Sequence, residues 1–544
     1  MPAAAVPARR GLWFWAAIAM LCALIPVYVT CLAAPGFGLY HDDGVYVVTA
    51  KALAEGKGYA IDSLPDATPQ TKYPPLFPLL LSFIWRVNPH FPGNIVALRA
   101  LPFVSLLAWL WLIFVFARSR IGETPALWIC FLVAANQWVI YTSSIVMTES
   151  LFGLLTLGSV WLLEKLVRSD SVFVGAAAIG LAVLAYATRT AGVVVFGTGV
   201  VTLLLARRWR ALVVFALAAV ASAGLWSGWQ RKSQPAATSI ENYYSAQNYR
   251  DSAVTSPRFR LPDKVRIVGQ NVVYLFTAPL RLFSVPVFRA DFAILPTLLL
   301  LYWLNGVFWL GAAHGMSKLT VSARLFTGFY LAMILLWVWH PDRLLLPVLP
   351  FLLFAFYCGS RKWTFVRFSV PAIAMCAMFA ALGTAVMTAR HGVTLLGNPL
   401  VFFSEEQQVS ATDLTEPLDD SRISAVYQWI RENTTNDAVI LADFDPAVYL
   451  YTGRKGMRPF TADGMPVYYW DDRGYSERQS DLDRVISRHK PAFLVQMGPD
   501  AENEIHYTHL LRDLRREGRI SLVKEFTPHY RIFRFSGPER HSSQ

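Results

Sequence analysis

Two adjacent carboxylates, Asp42 and Asp43, follow His41 shortly after the first long apolar run of the chain. The segment 38–59 reads GLYHDDGVYVVTAKALAEGKGY, in which apolar residues recur at helical spacing until two glycines end the pattern. We predict a short helix in the headgroup layer, with both carboxylates in its first turn, where free N–H groups and the helix dipole keep them ionised. An ionised, positioned carboxylate is a general base. The commoner role of an aspartate at this position is to cap the helix.

Acidic residues are scarce in most of the chain, and this scarcity favours the functional interpretation. Of the 37 Asp and Glu residues, 23 lie from Glu405 onward and only 14 lie in the first 403 positions. Five of those 14 belong to one loop, namely Asp42, Asp43, Glu55, Asp62 and Asp66. A chain that otherwise avoids acids has concentrated them beside the first apolar run.

Four further candidate residues lie next to apolar runs: Lys72 and Tyr73 in KYPPLFPLLL (72–81), Glu149 in MTESLFGLL (147–155), and Arg343 in HPDRLLLPVLP (340–350). Each of the three charged candidates also has a purely structural interpretation that involves no chemistry. A lone lysine such as Lys72 at a membrane edge commonly snorkels, and Glu149 can favour the start of a helix through the dipole. Arg343 can pair with the adjacent aspartate or anchor its apolar run.

The composition is that of an integral membrane protein. The 544 residues are 55% hydrophobic and 14% aromatic, and runs of about twenty apolar residues recur from Leu12 to Met387. The net charge of +12 comes from short basic clusters between these runs, which is the positive-inside pattern and favours anionic headgroups over nucleic acid as the partner. All five cysteines lie in apolar segments, so the sequence predicts neither a disulfide framework nor a cysteine metal site.

The apolar runs predict a polytopic α-helical membrane domain over residues 1–390, with about eleven spans in a range of about 10–13. The basic clusters share one side, which places the N-terminus in the cytoplasm. The first outer loop, about residues 35–94, carries the paired carboxylates, and a second polar outer loop covers about residues 230–268. The N-terminal run is too long for a cleaved secretion signal and is expected to stay attached.

The tail has a different composition. An acidic linker over residues 391–420 precedes a segment, 421–544, in which helical patterns alternate with short apolar strands and a terminal hairpin over 520–535. This pattern predicts a small α/β domain. The odd number of spans places that domain outside the cytoplasm.

The order of these stretches resembles the membrane-embedded GT-C glycosyltransferases, in particular the protein O-mannosyltransferase and aminoarabinose-transferase type. The resemblance rests on the paired acids of the first outer loop, the lysine before two prolines, and the late Arg-x-Leu-x-Pro turn. The general plan of spans followed by an outer C-terminal domain extends it over the whole chain.

The resemblance implies a cell-envelope enzyme in the inner (plasma) membrane. Such an enzyme moves a sugar from an undecaprenyl-phosphate-like polyprenyl phosphate to a hydroxyl of a glycan, glycolipid or protein on the outer face. Asp42 matches the catalytic aspartate of the family, while Asp43 stands where a glutamate is common. Lys72 and Arg343 match residues that hold the donor phosphate.

Glu149 stands where the family often has an acid at the start of a span, and we group it with His41 and Tyr73 at the acceptor or a secondary site. The chemistry needs a carboxylate to take the proton of the acceptor hydroxyl, and cations to stabilise the charge on the leaving phosphate. We expect the transfer to invert the anomeric configuration.

Three questions stay open from the sequence alone. His41, Asp42 and Asp43 offer imidazole and oxygen ligands, but adjacent side chains rarely complete a coordination sphere, so use of a divalent metal is undecided and no other cofactor is implied. A transporter or flippase of lipid-linked sugars is the competing class, and it predicts polar groups within the spans and an internal repeat. A membrane scaffold would explain the tail but not the loop acids.

Overall fold

The computed structural model describes residues 11–34, 37–38, 40–169, 171–233, 244–245, 253, 259–281, 294–339, 341–363, 373–385, 420–459, 475–497, 511–527 and 530–536. His340, almost all of the predicted linker 391–420 and most of the predicted outer loop 230–268 lie outside these residues. The predicted domain boundaries at 390 and 420 therefore stay predictions.

The described residues up to 385 are mainly helical. The first helices are Leu12–Ala23 (α1), Ile25–Leu32 (α2), Asp42–Ala54 (α3), Leu76–Val87 (α4), Ile95–Ile121 (α5), Glu123–Ala134 (α6), Gln137–Ser144 (α7), Glu149–Arg168 (α8), Val172–Thr188 (α9), Val193–Leu205 (α10) and Trp209–Lys232 (α11). The later ones are Leu261–Arg281 (α12), Ile294–Gly315 (α13), Val321–Leu335 (α14), Pro341–Leu344 (α15), Leu349–Ser360 (α16) and Ile373–Ala385 (α17).

Four helical segments of the described chain are long and apolar enough to cross a membrane: Leu12–Leu32, Ile95–Ile121, Glu149–Arg168 and Trp209–Lys232. Helices α6 and α7 meet at 64° and would form a fifth span as a pair. Shorter apolar helices of 10–17 residues accompany them. The total of about eleven spans stays a prediction.

The apolar segment formed by α6 and α7 is bent, and the local sequence explains why. The side chain of Asn136 accepts hydrogen bonds from the backbone amides of Trp138 and Val139, and so caps α7. Because Asn competes with the backbone in this way, it favours the start of a new helix over the continuation of the old one. Apolar composition alone did not reveal this break.

The predicted short helix is present as α3, and it is more buried than a helix lying in the headgroup layer. Thr49 is fully buried, and its hydroxyl donates to the carbonyl of Val45 and accepts from the Gln70 side chain. The helix ends before Gly56, which has a φ of 76° that suits glycine. Two short antiparallel strands, Ala60–Ile61 (β1) and Thr68–Pro69 (β2), follow.

The described residues from Asp420 onward form a mixed five-stranded sheet with helices, which we call the C-terminal unit. Its helices are Asp420–Asn433 (α18), Asp445–Thr452 (α19), Tyr475–His489 (α20) and a short one over 511–516. Its strands are Ile440–Ala442 (β3), Gly456–Met457 (β4), Phe493–Met497 (β5), Ile520–Thr527 (β6) and Tyr530–Phe535 (β7), in the order β4-β3-β5-β7-β6. Strand β3 is parallel to β4 and β5, and the predicted hairpin is the antiparallel pair β6–β7.

The C-terminal unit packs on the loop that carries the paired carboxylates. Val45 and Val48 of α3 share one hydrophobic cluster with Leu441 and Leu494 of the sheet. The opposite side of α3, through Tyr46 and neighbouring residues, belongs to the core of the membrane helices. Helix α3 is therefore enclosed between the two parts, which explains its burial on nearly all sides.

Candidate functional site

The site begins at the turn that leads into α3. His41 occupies the N-cap position with a φ of 65° and a ψ of −56°, and Asp42 is the first residue of the helix. A non-glycine residue in this conformation costs on the order of 1–3 kcal/mol and persists only where the surroundings enforce it. The strain therefore lies at the residue that precedes the candidate base.

The carboxylate of Asp42 faces three polar side chains instead of capping α3. The Tyr73 hydroxyl donates to its Oδ1 at 2.5 Å, and Lys72 Nζ lies 3.9 Å from the same atom. Arg343 Nη1 lies 3.7 Å from Oδ2, and the Asp42 side chain keeps 18% of its surface exposed. The position of a cap residue belongs to His41, so the cap interpretation of Asp42 does not account for this geometry.

These neighbours determine the charge of Asp42. Burial acts to raise the pKa of this carboxyl, but Lys72, Arg343 and the Tyr73 hydrogen bond outweigh burial and hold the pKa below its usual value. Asp42 is therefore ionised at neutral pH and still partly open to solvent.

Lys72 and Tyr73 are positioned by the residues just before them. The side-chain oxygen of Gln70 accepts from the backbone amides of Lys72 at 3.0 Å and Tyr73 at 3.2 Å. Helix α11 holds this turn from outside, since the Trp229 indole donates to the Gln70 carbonyl at 2.9 Å and the Gln230 amide donates to the Thr71 carbonyl at 2.8 Å. These contacts fix both side chains against Asp42.

Arg343 connects Asp42 with Glu149. Its Nε lies 3.3 Å from Glu149 Oε1, and its Nη1 donates to the Tyr40 hydroxyl at 2.6 Å. Arg189, at the end of α9, lies 2.5 Å from the same Glu149 oxygen and donates to Thr148 at 3.0 Å. Glu149 is 3% exposed, and its Oε2 has no hydrogen-bond partner among the described residues.

Five side chains thus form one charged cluster: Asp42, Glu149, Lys72, Arg189 and Arg343. It contains three cations and two carboxylates, so it carries an excess of one positive charge when all are ionised. Partly buried cations in excess attract an anion that accepts several charge-assisted hydrogen bonds, and a phosphate fits this requirement. The cluster can therefore hold a phosphate next to a carboxylate base.

Asp43 points away from the charged cluster. It is 1% exposed, and its Oδ2 accepts from the Gly38 amide at 3.0 Å. Burial raises the pKa of Asp43 to about 6, although hydrogen bonds from the Gly38 and Gly44 amides and the nearby Arg99 act in the opposite direction. The geometry supports a role in holding the turn, and does not bring Asp43 to the atoms that Asp42 faces.

This environment predicts a pH-dependent effect of Asp43→Asn on stability. An unfolded aspartate titrates near 4, so wild-type protein loses stability as the pH rises from about 4 to about 6, where the buried group is forced to ionise. Asparagine cannot ionise and still accepts from the Gly38 amide. The stability of the variant relative to wild type should therefore improve by about 2–3 kcal/mol between acidic and neutral pH. Thermal unfolding in detergent at several pH values measures this, and a pH-independent difference would contradict it.

His41 is also turned away from the charged cluster. Its Nε2 lies 3.0 Å from Asp445 Oδ1 in the C-terminal unit, and both side chains are almost fully buried. Within the described residues, no group of three or more His, Cys, Asp or Glu side chains is arranged to hold a metal ion. Use of a divalent metal stays an open question that chelation can test.

Two groups of contributing residues were not predicted from the sequence. Arg189 directly follows the apolar run of α9, and a charge at such a boundary was the available signal. Asp445 and Tyr244 gave no local signal, because their partners lie hundreds of residues away in the chain.

No family model matches the chain, and no curated protein matches it. ArnT from Cupriavidus metallidurans bound to undecaprenyl phosphate aligns with a TM-score of 0.54 and 12% identity, covering 96% of this chain and 98% of that one. The apo state of that protein aligns with a TM-score of 0.51 and 11% identity, covering 95% and 97%.

The archaeal oligosaccharyltransferase AglB from Archaeoglobus fulgidus, in complex with an inhibitory peptide and a dolichol-phosphate, aligns with a TM-score of 0.46 and 11% identity, over 88% of this chain and 69% of that one. The likeness to both ArnT structures extends over nearly the full length of each chain. At these identities it is the fold that is established: the chain has the fold of the ArnT structures, which agrees with the fold type that the motifs predicted.

Proposed function

We propose that this protein is a membrane glycosyltransferase that moves a sugar from a polyprenyl phosphate to a hydroxyl acceptor. The single observation that carries the proposal is the contact of Asp42 with both Lys72, at 3.9 Å, and Arg343, at 3.7 Å. A proton acceptor beside two cations is the pairing that the reaction requires, because the cations can stabilise the leaving phosphate.

In the proposed reaction, Asp42 takes the proton of the acceptor hydroxyl as its oxygen attacks the anomeric carbon of the donor. The new C–O bond forms on the face opposite the leaving group, so the configuration inverts. The bond from the anomeric carbon to the phosphate oxygen breaks with both electrons on that oxygen. Lys72 and Arg343 stabilise the resulting charge.

Binding of the donor phosphate would also raise the pKa of Asp42, the proposed base. In the structure both cations face Asp42 and hold its pKa low. A bound phosphate would share these cations and weaken their hold on the carboxylate. Asp42 would then become a stronger base when the donor is in place, which couples proton removal to donor binding.

Glu149 and Tyr73 are assigned supporting roles. Glu149 Oε2 has no hydrogen-bond partner among the described residues, although it is buried, and an acceptor hydroxyl could satisfy it. The Tyr73 hydroxyl holds Asp42 in place at 2.5 Å. ArnT was solved with undecaprenyl phosphate bound, and we infer a donor of that lipid class here.

The competing hypothesis is a transporter or flippase of lipid-linked sugars. The break between α6 and α7 is a feature that a transporter would share. The charged cluster favours the enzyme, because Asp42 and Glu149 each open a helix and Arg343 belongs to the short helix α15. These positions place the charges at helix ends, where a lipid phosphate can reach them.

A radiolabelled polyprenyl-phosphate sugar in proteoliposomes separates the hypotheses. Appearance of label in a covalent product supports the transferase. Movement of intact donor across the bilayer without product supports the flippase and contradicts the proposal. Mass spectrometry of envelope glycans and glycolipids with and without the gene then identifies the sugar and the acceptor.

We further propose an inner-membrane location with a cytoplasmic N-terminus and the C-terminal unit outside. The alternation of basic clusters with polar loops supports this orientation. A periplasmic reporter fused after Arg390 should be active. Activity of a cytoplasmic reporter at the same point would reverse the assigned side of the site.

A further inference from the structure

The first turn of α19 lies against the turn that leads into α3. Asp445 is fully buried, and its Oδ1 lies 3.0 Å from His41 Nε2. The same oxygen accepts from the Tyr244 hydroxyl at 2.9 Å, and that hydroxyl accepts from the Arg458 backbone amide at 2.9 Å. A hydrogen-bonded chain thus runs from Arg458, which directly follows strand β4 of the C-terminal unit, to the residue before Asp42.

The backbones at this contact approach as closely as glycine allows. A Cβ added to Gly38 would lie 2.8 Å from Ala447 Cβ, and one added to Gly44 would lie 2.7 Å from Pro446 Cβ. Both distances are shorter than real side chains permit. The two surfaces are therefore fitted to each other on either side of His41.

The backbone of His41 points to a use for its side chain. With a φ of 65°, the position would suit glycine, which reaches such conformations without strain. The chain has an imidazole there instead, and 2% of the residue is exposed. A strained conformation that is held by a buried hydrogen bond is a common way of fixing the geometry of a functional turn.

We propose that His41 and Asp445 are a positioning pair, through which the C-terminal unit fixes the first turn of α3 and thereby the direction of the Asp42 carboxylate. This inference rests on the proposed role of Asp42 as the base. It gives the C-terminal unit a catalytic purpose that does not depend on its binding an acceptor.

The electrostatics of the pair are compatible with this role. Burial raises the pKa of Asp445 to about 8, against the opposing effects of the Tyr244 hydroxyl and Arg458. Burial, together with Arg458 and Lys72, holds the pKa of His41 well below its usual value. Both shifts favour the uncharged form of each side chain, so the pair orients the turn without adding charge beside the charged cluster.

The test compares three variants, two at Asp445 and one at His41, in single-turnover and steady-state transfer assays. Asp445→Ala should lower kcat roughly 10–100-fold, since a small misplacement of a catalytic group has effects of this size, with little change in KM for the donor. Asp445→Asn should restore most of kcat, because its amide can bond both His41 and Tyr244. His41→Gly relieves the backbone strain and deletes the ring, so it should remain folded with a low kcat.

Tyr449→Phe is the matched control. Tyr449 lies on the same helix and also ties the C-terminal unit to the first loop, through a hydrogen bond to Asp62 at 2.5 Å. It does not contact His41 in the described contacts, so its removal should leave kcat unchanged. Equal losses in Tyr449→Phe and Asp445→Ala would overturn the inference, as would a wild-type kcat in His41→Gly.

The failure of the inference and the failure of the proposed function can be distinguished. If wild type transfers sugar, Asp42→Asn does not, and Asp445→Ala matches wild type, the inference alone is wrong. If wild type transfers no sugar, the proposed function is wrong, and amide hydrogen exchange of a peptide spanning residues 40–48 decides the inference. Faster exchange in Asp445→Ala but not in Tyr449→Phe supports a positioning pair, and unchanged exchange overturns it.

Discussion

Asp42→Asn should leave the protein folded and reduce sugar transfer by roughly 10²–10⁴-fold, the range typical of the loss of a general base. Asparagine has nearly the shape of aspartate, and its side-chain oxygen can still accept from the Tyr73 hydroxyl. It cannot take a proton. Because His41 and not Asp42 occupies the N-cap position, a loss of this size would not arise from a missing cap.

The decisive measurement is single-turnover transfer with purified, detergent-stable protein and saturating donor. Asp62→Asn is the matched control, since Asp62 is another buried carboxylate of the same loop and bonds Lys57 at 2.7 Å. That variant should transfer sugar at the wild-type rate. The transfer rate should fall less in Asp43→Asn than in Asp42→Asn, since Asp43 faces the Gly38 amide and not the charged cluster. Near wild-type transfer by Asp42→Asn would remove Asp42 from catalysis and direct the search to Glu149.

The sequence predicted those parts of the site that show up in a local pattern of residue types. Apolar runs marked the helices, and charges at their ends marked Asp42, Lys72, Glu149 and Arg343. The structure brings these four residues into the charged cluster, and the Tyr73 hydroxyl bonds Asp42 beside it. Local patterns carry this information because a charge at the edge of an apolar run must be satisfied nearby.

Other features depend on contacts that no local pattern records. The bond between His41 and Asp445 joins residues 404 positions apart, and the burial of α3 depends on a C-terminal unit that arrives much later in the chain. The sequence correctly predicted a helix at Asp42 and a hairpin near the C-terminus. It gave no reason to expect that the helix at Asp42 would be covered by the C-terminal unit, which contains the hairpin.

Arg343→Ala should reduce kcat/KM for the donor roughly 10²–10³-fold, the loss typical of removing one donor that stabilises developing negative charge. Arg343 is suited to this task because its planar fork can hold two phosphate oxygens at once, while the Tyr40 hydroxyl and Glu149 fix its orientation. Arg343→Lys keeps the charge but loses the fork, so it should recover only part of the activity.

Arg120→Ala provides the matched control for Arg343→Ala. Arg120 forms an ion pair with Glu164 away from the site, and its side chain is 19% exposed, as is that of Arg343. Removing either arginine disrupts a partly buried ion pair, but of the two only Arg343 faces Asp42. If Arg343 binds the donor phosphate, its loss should weaken both transfer and the binding of polyprenyl phosphate, whereas Arg120→Ala should change neither. Equal binding and turnover in the two variants would reduce Arg343 to an anchor of its helix, and would leave Lys72 as the cation that meets the leaving group.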